Sequence, residues 1–314
     1  MANLPIYTCA LKPQSCNVCP ATSPLLGCGG CKITTYCSAS HQSSDWSSHK
    51  SLCNTIMKNR QRLEQEEAAL RDMPDDYFNN CAGRFWGLIE TREYMRARFQ
   101  HANGLLDADT RFAVDIALIH FMDMLRLCRS DNLGVRDAVP PLMLRLGREQ
   151  ECYDFLKWWA TANRNGRYDW GDLTLPHLNI RGADAFEPIE PFFLDEGCLS
   201  LSQLACLTLL KLRLYMDLDA YNTSLEDMFS FGGPVRRAMG ALVKEKVKSV
   251  HPGRIAVLTG DLRKQYLRLC EVVHDANAHF WEALVDDERH SPPSAYSMGS
   301  PEEAHLAIHQ CKTA

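Results

Sequence analysis

From residue 55 onward the chain is written in stripes. Between Thr55 and Met73, Ile56, Leu63 and Leu70 recur seven residues apart among Arg, Lys and Glu, one face of a helix that Pro74 ends. Gly83 to Gln100 sets Phe85, Leu88, Ile89, Met95 and Phe99 at three- and four-residue spacings, an amphipathic helix with an aromatic end. Phe112 to Cys128 is apolar almost all round, with Asp115, Asp123 and Arg126 confined to one sector, which suits a helix surrounded by others. His120 on that helix reads as a hydrogen-bonded core histidine rather than a base. A further helix is expected from Ala138, capped by Asp137, with Pro140 and Pro141 in its first turn and Gly147 at its end. Another runs from Glu149 to Trp159. This helix–turn–helix sequence resembles a tetratricopeptide-like hairpin. A repeat array needs about three such units, so the expectation is an α-helical bundle containing one hairpin.

At Asn163 the character changes. Asn163 to Gly197 carries Gly166, Gly171, Gly182, Pro176, Pro188 and Pro191 among Tyr168, Trp170, Phe186, Phe192 and Phe193. So long a stretch without helix signals is a functional loop or a surface-packed one, and the aromatics favour packing. Helical stripes resume over Leu199 to Leu218. Thr223 and Glu226 have capping-box spacing for a short helix ending near Phe231. Pro234 begins another, with Val235, Met239, Leu242, Val243, Val247 and Val250 inward and Arg236, Arg237, Lys244, Lys246 and Lys248 on a solvated face. A last long helix, Thr259 to Val285, turns Leu262, Tyr266, Leu269, Val273, Phe280 and Leu284 inward. Residues 287–314 read as a linker, with Ser291-Pro-Pro-Ser, and a short helix from Pro301 to Cys311.

Residues 16–53 obey neither period. They hold Cys16, Cys19, Cys28, Cys31, Cys37, His41, His49 and Cys53, eight soft or borderline metal ligands in 38 residues. The spacings are Cys-x2-Cys, Cys-x2-Cys, Cys-x3-His and His-x3-Cys. A pair two to four residues apart gives tetrahedral structural zinc two of its bonds from one knuckle or helical turn, so four pairs make two closed sites. So short a segment lacks the apolar bulk to fold without a staple. Disulfides are the poorer one. Seven of the 14 cysteines lie scattered after the segment and one, Cys9, before it, without paired spacing, and the first residues, broken by Pro5, have no basic start of a secretory signal.

Residues 36–53 read Tyr-Cys-Ser-Ala-Ser-His-Gln-Ser-Ser-Asp-Trp-Ser-Ser-His-Lys-Ser-Leu-Cys. This resembles a MYND-type zinc finger, whose last half carries Tyr-Cys-Ser, a ligand followed by Gln, Asp-Trp and His-x3-Cys. The resemblance implies an interleaved, cross-braced arrangement: Cys16, Cys19, Cys37 and His41 on one zinc, and Cys28, Cys31, His49 and Cys53 on the other. His41 stands where the commoner pattern has cysteine, and imidazole is an equally good donor. The resemblance further implies an interaction module that receives short proline-containing peptides, with Gln42 and Trp46 lining the groove. The Arg-Ser-Asp-Asn-x-Gly-Val-Arg and Glu-Cys-Tyr-Asp-Phe-x-Lys-Trp-Trp segments resemble the helical region of fungal MYND-finger proteins, which carries no implied activity.

The expected organisation is an extension over 1–15, a finger over 16–53, an α-helical domain over 55–286 interrupted by the 163–197 loop, and the 287–314 tail. With 46% hydrophobic residues the larger part can build its own core. Its longest uncharged helical stretch, Gly197 to Leu210, is shorter than the roughly 20 residues of a membrane span, so an intracellular protein, cytoplasmic or nuclear, is expected. Residues 1–60 are formally +4 and the remainder −9, which offers little basic face for phosphate neutralisation and disfavours direct nucleic-acid binding. Against a divergent SET-type lysine methyltransferase stand the 15 residues before Cys16 and the lack of Asn-His-Ser-Cys. G-x-S-x-G, phosphate-loop and His-Glu-x-x-His motifs are also missing. The expectation is a non-enzymatic adaptor or scaffold holding two structural zinc ions, with a transcriptional co-regulator acting through partners as the nearest alternative.

Overall fold

The computed structural model describes residues 11, 14–162, 168–189, 193, 199–231, 239–286, 293 and 295–313, and of 224–231, 312 and 313 the backbone alone. Two short strands, β1 (Leu26–Gly27) and β2 (Thr35–Tyr36), pair antiparallel with Leu26 opposite Tyr36. Ser38 then caps a helix of 33 residues, α1 (Ala39–Arg71), its side chain accepting from the His41 amide. No break separates the segment rich in metal ligands from the helix expected at Thr55. His49, Cys53, Ile56, Leu63 and Leu70 are the buried residues of α1, so ligands and core leucines share one helix face.

Then follow α2 (Tyr77–Asn80), two single 3₁₀ turns (Phe85–Gly87 and Ile89–Thr91), α3 (Arg92–Leu106), α4 (Arg111–Leu127) and α5 (Val135–Arg145). The helix expected from Gly83 therefore starts nine residues late. Gly83 sits at φ +99 and pairs across the chain, its amide on Leu127 O at 2.8 Å and its carbonyl taking the Arg129 amide at 3.1 Å. Thr91 then closes the turns by donating to the Phe85 and Leu88 carbonyls. Phe85 is buried as expected, whereas Ile89 is 71% exposed. α5 likewise starts earlier than its prolines suggest. The cap is the Asp131 carboxylate, which accepts from the amides of Val135 (2.9 Å) and Arg136 (2.8 Å); Asp137 lies within the first turn and Pro140 and Pro141 beyond it.

The remaining helices are α6 (Glu149–Ala162), α7 (Leu201–Phe231), α8 (Ala241–Ser249), α9 (Ile255–Ala276), α10 (Phe280–Val285) and α11 (Pro301–Thr313). Thr223 caps nothing: its hydroxyl bonds back to Asp219 O at 2.9 Å and α7 runs through. Pro234 to Arg237 lie outside the described residues, and of the inward set expected there Val243 is buried. The last long helix is broken at Asn277, whose buried side chain donates to Ser300 O at 2.9 Å and accepts the His279 amide at 3.0 Å. Leu262, Leu269, Val273 and Phe280 are buried, but Leu284 is 39% exposed. No helix among the described residues is long and apolar enough to cross a membrane.

The described residues fall into two compact units. One takes 11–146 with 169–177, the other 147–168 with 178–312. In the first, α1 packs on α3, α3 on α4 and α4 on α5; in the second, α7 packs on α9, α6 and α8. The expected hairpin is thus divided, with α4 and α5 in the first unit and α6 in the second. The Gly- and Pro-rich stretch divides too. Its 169–177 part is held by Arg129, which donates to Leu175 O at 3.1 Å. Its 182–189 part is held in the second unit, where Ala185, Phe186 and Ile189 are buried.

Between α3 and α4, Arg98 donates to His120 Nδ1 at 3.2 Å and to Tyr94 Oη at 2.7 Å, and pairs with Asp123. The His120 ring lies 5.1 Å from that of His101. A guanidinium can donate to imidazole only when that nitrogen is unprotonated, so His120 is neutral and hydrogen-bonded as expected, but half-buried rather than in the core. Burial first, then Arg60 for His101 and Arg98 for His120, hold both rings down to about 4. The unfolded chain binds these protons near pH 6.5, so stability is full above about 6.5 and is lost as the pH falls toward about 4. At pH 5 the loss is on the order of 2 kcal/mol for each ring. A His120→Gln chain should therefore show a smaller fall in urea midpoint between pH 7 and pH 5 than the wild type, at matched zinc content; equal slopes would remove the pair from the acid response.

Candidate metal centre

Four short segments bring the eight ligands together. The knuckle Cys16–Cys19 is pinned to β2 by the Asn17 amide on Thr35 O (2.9 Å) and by Thr35 Oγ1 donating to Ser15 O (2.7 Å). The knuckle Cys28–Cys31 turns so tightly that the Lys32 amide reaches Cys28 O at 2.9 Å. A Cβ on Gly30 would stand 2.7 Å from Cys53 Sγ, so only glycine leaves that ligand its place. Cys37 closes β2, and α1 presents His41, His49 and Cys53.

They form two clusters, Cys16 with Cys19, Cys37 and His41, and Cys28 with Cys31, His49 and Cys53, with the donor atoms of each within 4.8 Å of one another. Zinc bonds of about 2.3 Å to sulfur and about 2.0–2.1 Å to nitrogen in a tetrahedron require sulfur–sulfur edges of about 3.8 Å and sulfur–nitrogen edges of about 3.6 Å. In the first cluster Cys19–Cys37 is 3.7 Å, Cys16–His41 Nδ1 3.5 Å and Cys37–His41 Nδ1 3.2 Å. In the second Cys28–Cys53 is 3.6 Å and Cys31–His49 Nε2 3.5 Å. Both donor sets fit zinc, and His41 takes the position that the commoner pattern gives to cysteine. The two histidines use different nitrogens, His41 through Nδ1 from the first turn of α1 and His49 through Nε2 from two turns on.

A surrounding layer tunes the donors. Cys31 Sγ accepts from the Ile33 and Thr34 amides, each at 3.5 Å, and Thr34 Oγ1 lies 3.4 Å from His49 Nδ1, the nitrogen left over from the metal. Burial lowers the His49 pKa and keeps the ring neutral, the ligand form. Asp45 ties the layers: its carboxylate accepts from Asn17 (2.7 Å), Tyr36 Oη (2.7 Å) and Ser48 (2.7 Å). Burial pushes that carboxyl up, but the hydroxyls of Ser48 and Tyr36 and the Asn17 amide outweigh it and hold it below its ordinary range. Asp45 and Thr34 were not singled out among the candidate site residues. The Asp-Trp pair carries a sequence signal for the first; nothing in the sequence signals the second.

Gln42 and Trp46 lie one turn apart on α1. Gln42 is half-buried, and its Nε2 donates to Cys28 Sγ at 3.6 Å, so its amide belongs in part to the second zinc site. Trp46 is 41% exposed and meets the His49 ring edge-on at 6.3 Å. A cavity of about 330 Å³ opens beside the first knuckle, between Gln14–Pro20, Ile33–Thr35 and Thr110, and neither residue is in its wall.

Comparison with curated proteins and with solved structures found no match. The family model described as MYND finger matches residues 16–53. With that match and two interleaved Cys3His donor sets, the segment is a MYND finger, a two-zinc protein–protein interaction module on an otherwise helical chain.

Proposed function

We propose that this chain is an intracellular, non-enzymatic adaptor or scaffold whose finger docks a short proline-containing peptide of a protein partner across Gln42 and Trp46. The observation that carries the reading is Trp46, 41% exposed yet braced edge-on against a zinc ligand. An indole held by a rigid ring is a fixed apolar platform, and a proline-rich peptide arrives already extended and loses little entropy on it. Gln42, one turn away, donates from its NH2 to Cys28, and its amide oxygen is the group that would accept a peptide N–H. Each zinc takes four protein donors, a closed set without the open position that catalysis by the metal requires.

Affinity purification from cells tests this with Trp46→Ala against wild type, zinc content measured in both. Zinc should stay at two per chain while a set of partners disappears; partners retained with zinc intact would show that the indole is only a cap on the knuckle. Trp46→Ala is the cleaner variant. Gln42→Ala also deletes the hydrogen bond to Cys28, and loss of such outer contacts weakens metal sites by about 10–100-fold.

A further inference from the structure

Two Pro-Pro pairs occur in the chain. Pro140-Pro141 is buried inside α5. The other, Pro292-Pro293, falls between α10, which ends at Val285, and α11, which starts at Pro301. The described residues of that connection, 286, 293 and 295–300, are in no helix or strand. Pro188 and Pro191 also have the spacing of an extended ligand, but Ile189 and Phe193 beside them are buried, and Phe193 meets the Tyr153 ring. Behind Pro292-Pro293, in contrast, Tyr296 is 52% exposed and Met298 90% exposed. A mere spacer is built of Gly, Ser or charge, whereas tyrosine and methionine are enriched where chains dock.

Charge agrees with that reading. Ahead of the prolines Asp286, Asp287 and Glu288 stand against the single Arg289. The finger is the basic end of the chain: residues 1–60 are formally +4, and they stay positive with six thiolates and two Zn²⁺ in place. Lys50 is exposed on α1 one turn beyond Trp46, so an ammonium and the indole share one side of the helix. An acidic stretch that runs into Pro-Pro and a tyrosine thus complements a cation beside an aromatic platform.

We propose that the finger of one copy takes residues 286–298 of a second copy, which makes the chain its own ligand. This occupant presupposes the peptide groove proposed above and gives it a named segment. The proline pair and Tyr296 cover the Trp46 indole, with little entropy to lose because a Pro-Pro pair is preset in the extended form, and the carboxylates lie toward Lys50. A contact of finger to tail is heterologous; closed by a two-fold axis it is made twice in one dimer. Any other partner peptide then has to displace the tail, and its apparent affinity falls as the chain concentration rises.

A synthetic peptide of residues 286–299 is titrated by fluorescence anisotropy against the zinc-loaded full chain carrying Pro292→Ala and Pro293→Ala, whose own tail no longer competes. The peptide should bind. Adding Trp46→Ala to that chain should weaken it about tenfold or more, as should replacing both prolines of the peptide by alanine. In sedimentation velocity the wild type should move from monomer toward dimer as its concentration rises, and the double proline variant should stay monomeric with zinc still at two per chain. Peptide binding that Trp46→Ala leaves unchanged overturns the proposal, and so does a wild-type chain that stays monomeric above the peptide's Kd. A peptide that fails to bind while Trp46→Ala still strips partners from the finger in cells removes the tail as occupant and leaves the groove standing. If that partner loss fails as well, the groove falls with it.

Discussion

A Cys53→Ser chain should hold at most one zinc and lose the fold of residues 14–53, the largest effect expected of a single substitution here. Cys53 is buried, its sulfur lies 3.6 Å from Cys28 Sγ, and Gly30 is shaped around it. The binding energy of a structural zinc, about 10–16 kcal/mol in isolated finger peptides, is folding energy for a segment with so little core. Unfolding should stop near Ile56, because from there α1 is held by Ile56, Leu63 and Leu70 on its buried face and packs on α3. Hydrogen exchange with zinc counting should therefore show exposure of residues 14–53 and continued protection of 56–70; loss of protection along all of α1 would show that the metal supports the whole helix. In wild type a chelator should take the first zinc before the second. Three of the first four ligands, Cys19, Cys37 and His41, are half-buried, whereas all four of the second are buried.

The second large effect is expected at Lys211, which is fully buried. Its ammonium donates to Ala185 O at 2.7 Å and to Glu187 O at 2.8 Å and stands 5.2 Å from the centre of the Tyr153 ring. On the same stretch the Asp154 carboxylate accepts the Gly182 and Ala183 amides at 2.8 and 2.9 Å, and Tyr153 and Lys157 both donate to Glu187 at 2.6 Å. This network holds the 182–189 stretch in place of regular structure. Lys211→Met fills the same length but leaves the buried Ala185 carbonyl and the half-buried Glu187 carbonyl without their donor, a loss of about 2–4 kcal/mol. Urea unfolding read by hydrogen exchange at residues 182–189 and along α7 should show that loss in the second unit and none in the first. A change below about 0.5 kcal/mol would mean that apolar contacts alone anchor the stretch.

The ligand pairs were legible because zinc chemistry is local: each pair lies within one knuckle or turn, and its spacing survives in any tertiary context. The division of the eight into two interleaved sites came from the family resemblance, since spacing alone permits other divisions; the distances among the sulfurs and nitrogens supply it independently. Helix existence was equally legible, because the stripes of Ile56, Leu63 and Leu70 or of Leu262, Leu269 and Val273 record which face is buried. The arrangement around Gln42 was not, because its contact with Cys28 crosses 14 residues and depends on the angle between a knuckle and α1.

By itself, then, the sequence determined a mainly helical protein carrying a two-zinc finger with named ligands, since periodicity and ligand spacing are short-range properties of the chain. Tertiary structure alone decided the rest. Gly83 pairing with Leu127 and Arg129 replaced a helical stretch by 3₁₀ turns, and Asn277 bonding to Ser300 broke α9 from α10. The fusion of finger and helical region through α1, the division into two units at Gly147, and the burial of Lys211 under Ala185 and Glu187 are likewise tertiary. Each depends on a hydrogen bond or packing contact between distant residues, and such partners leave no local trace in the pattern of apolar and polar positions.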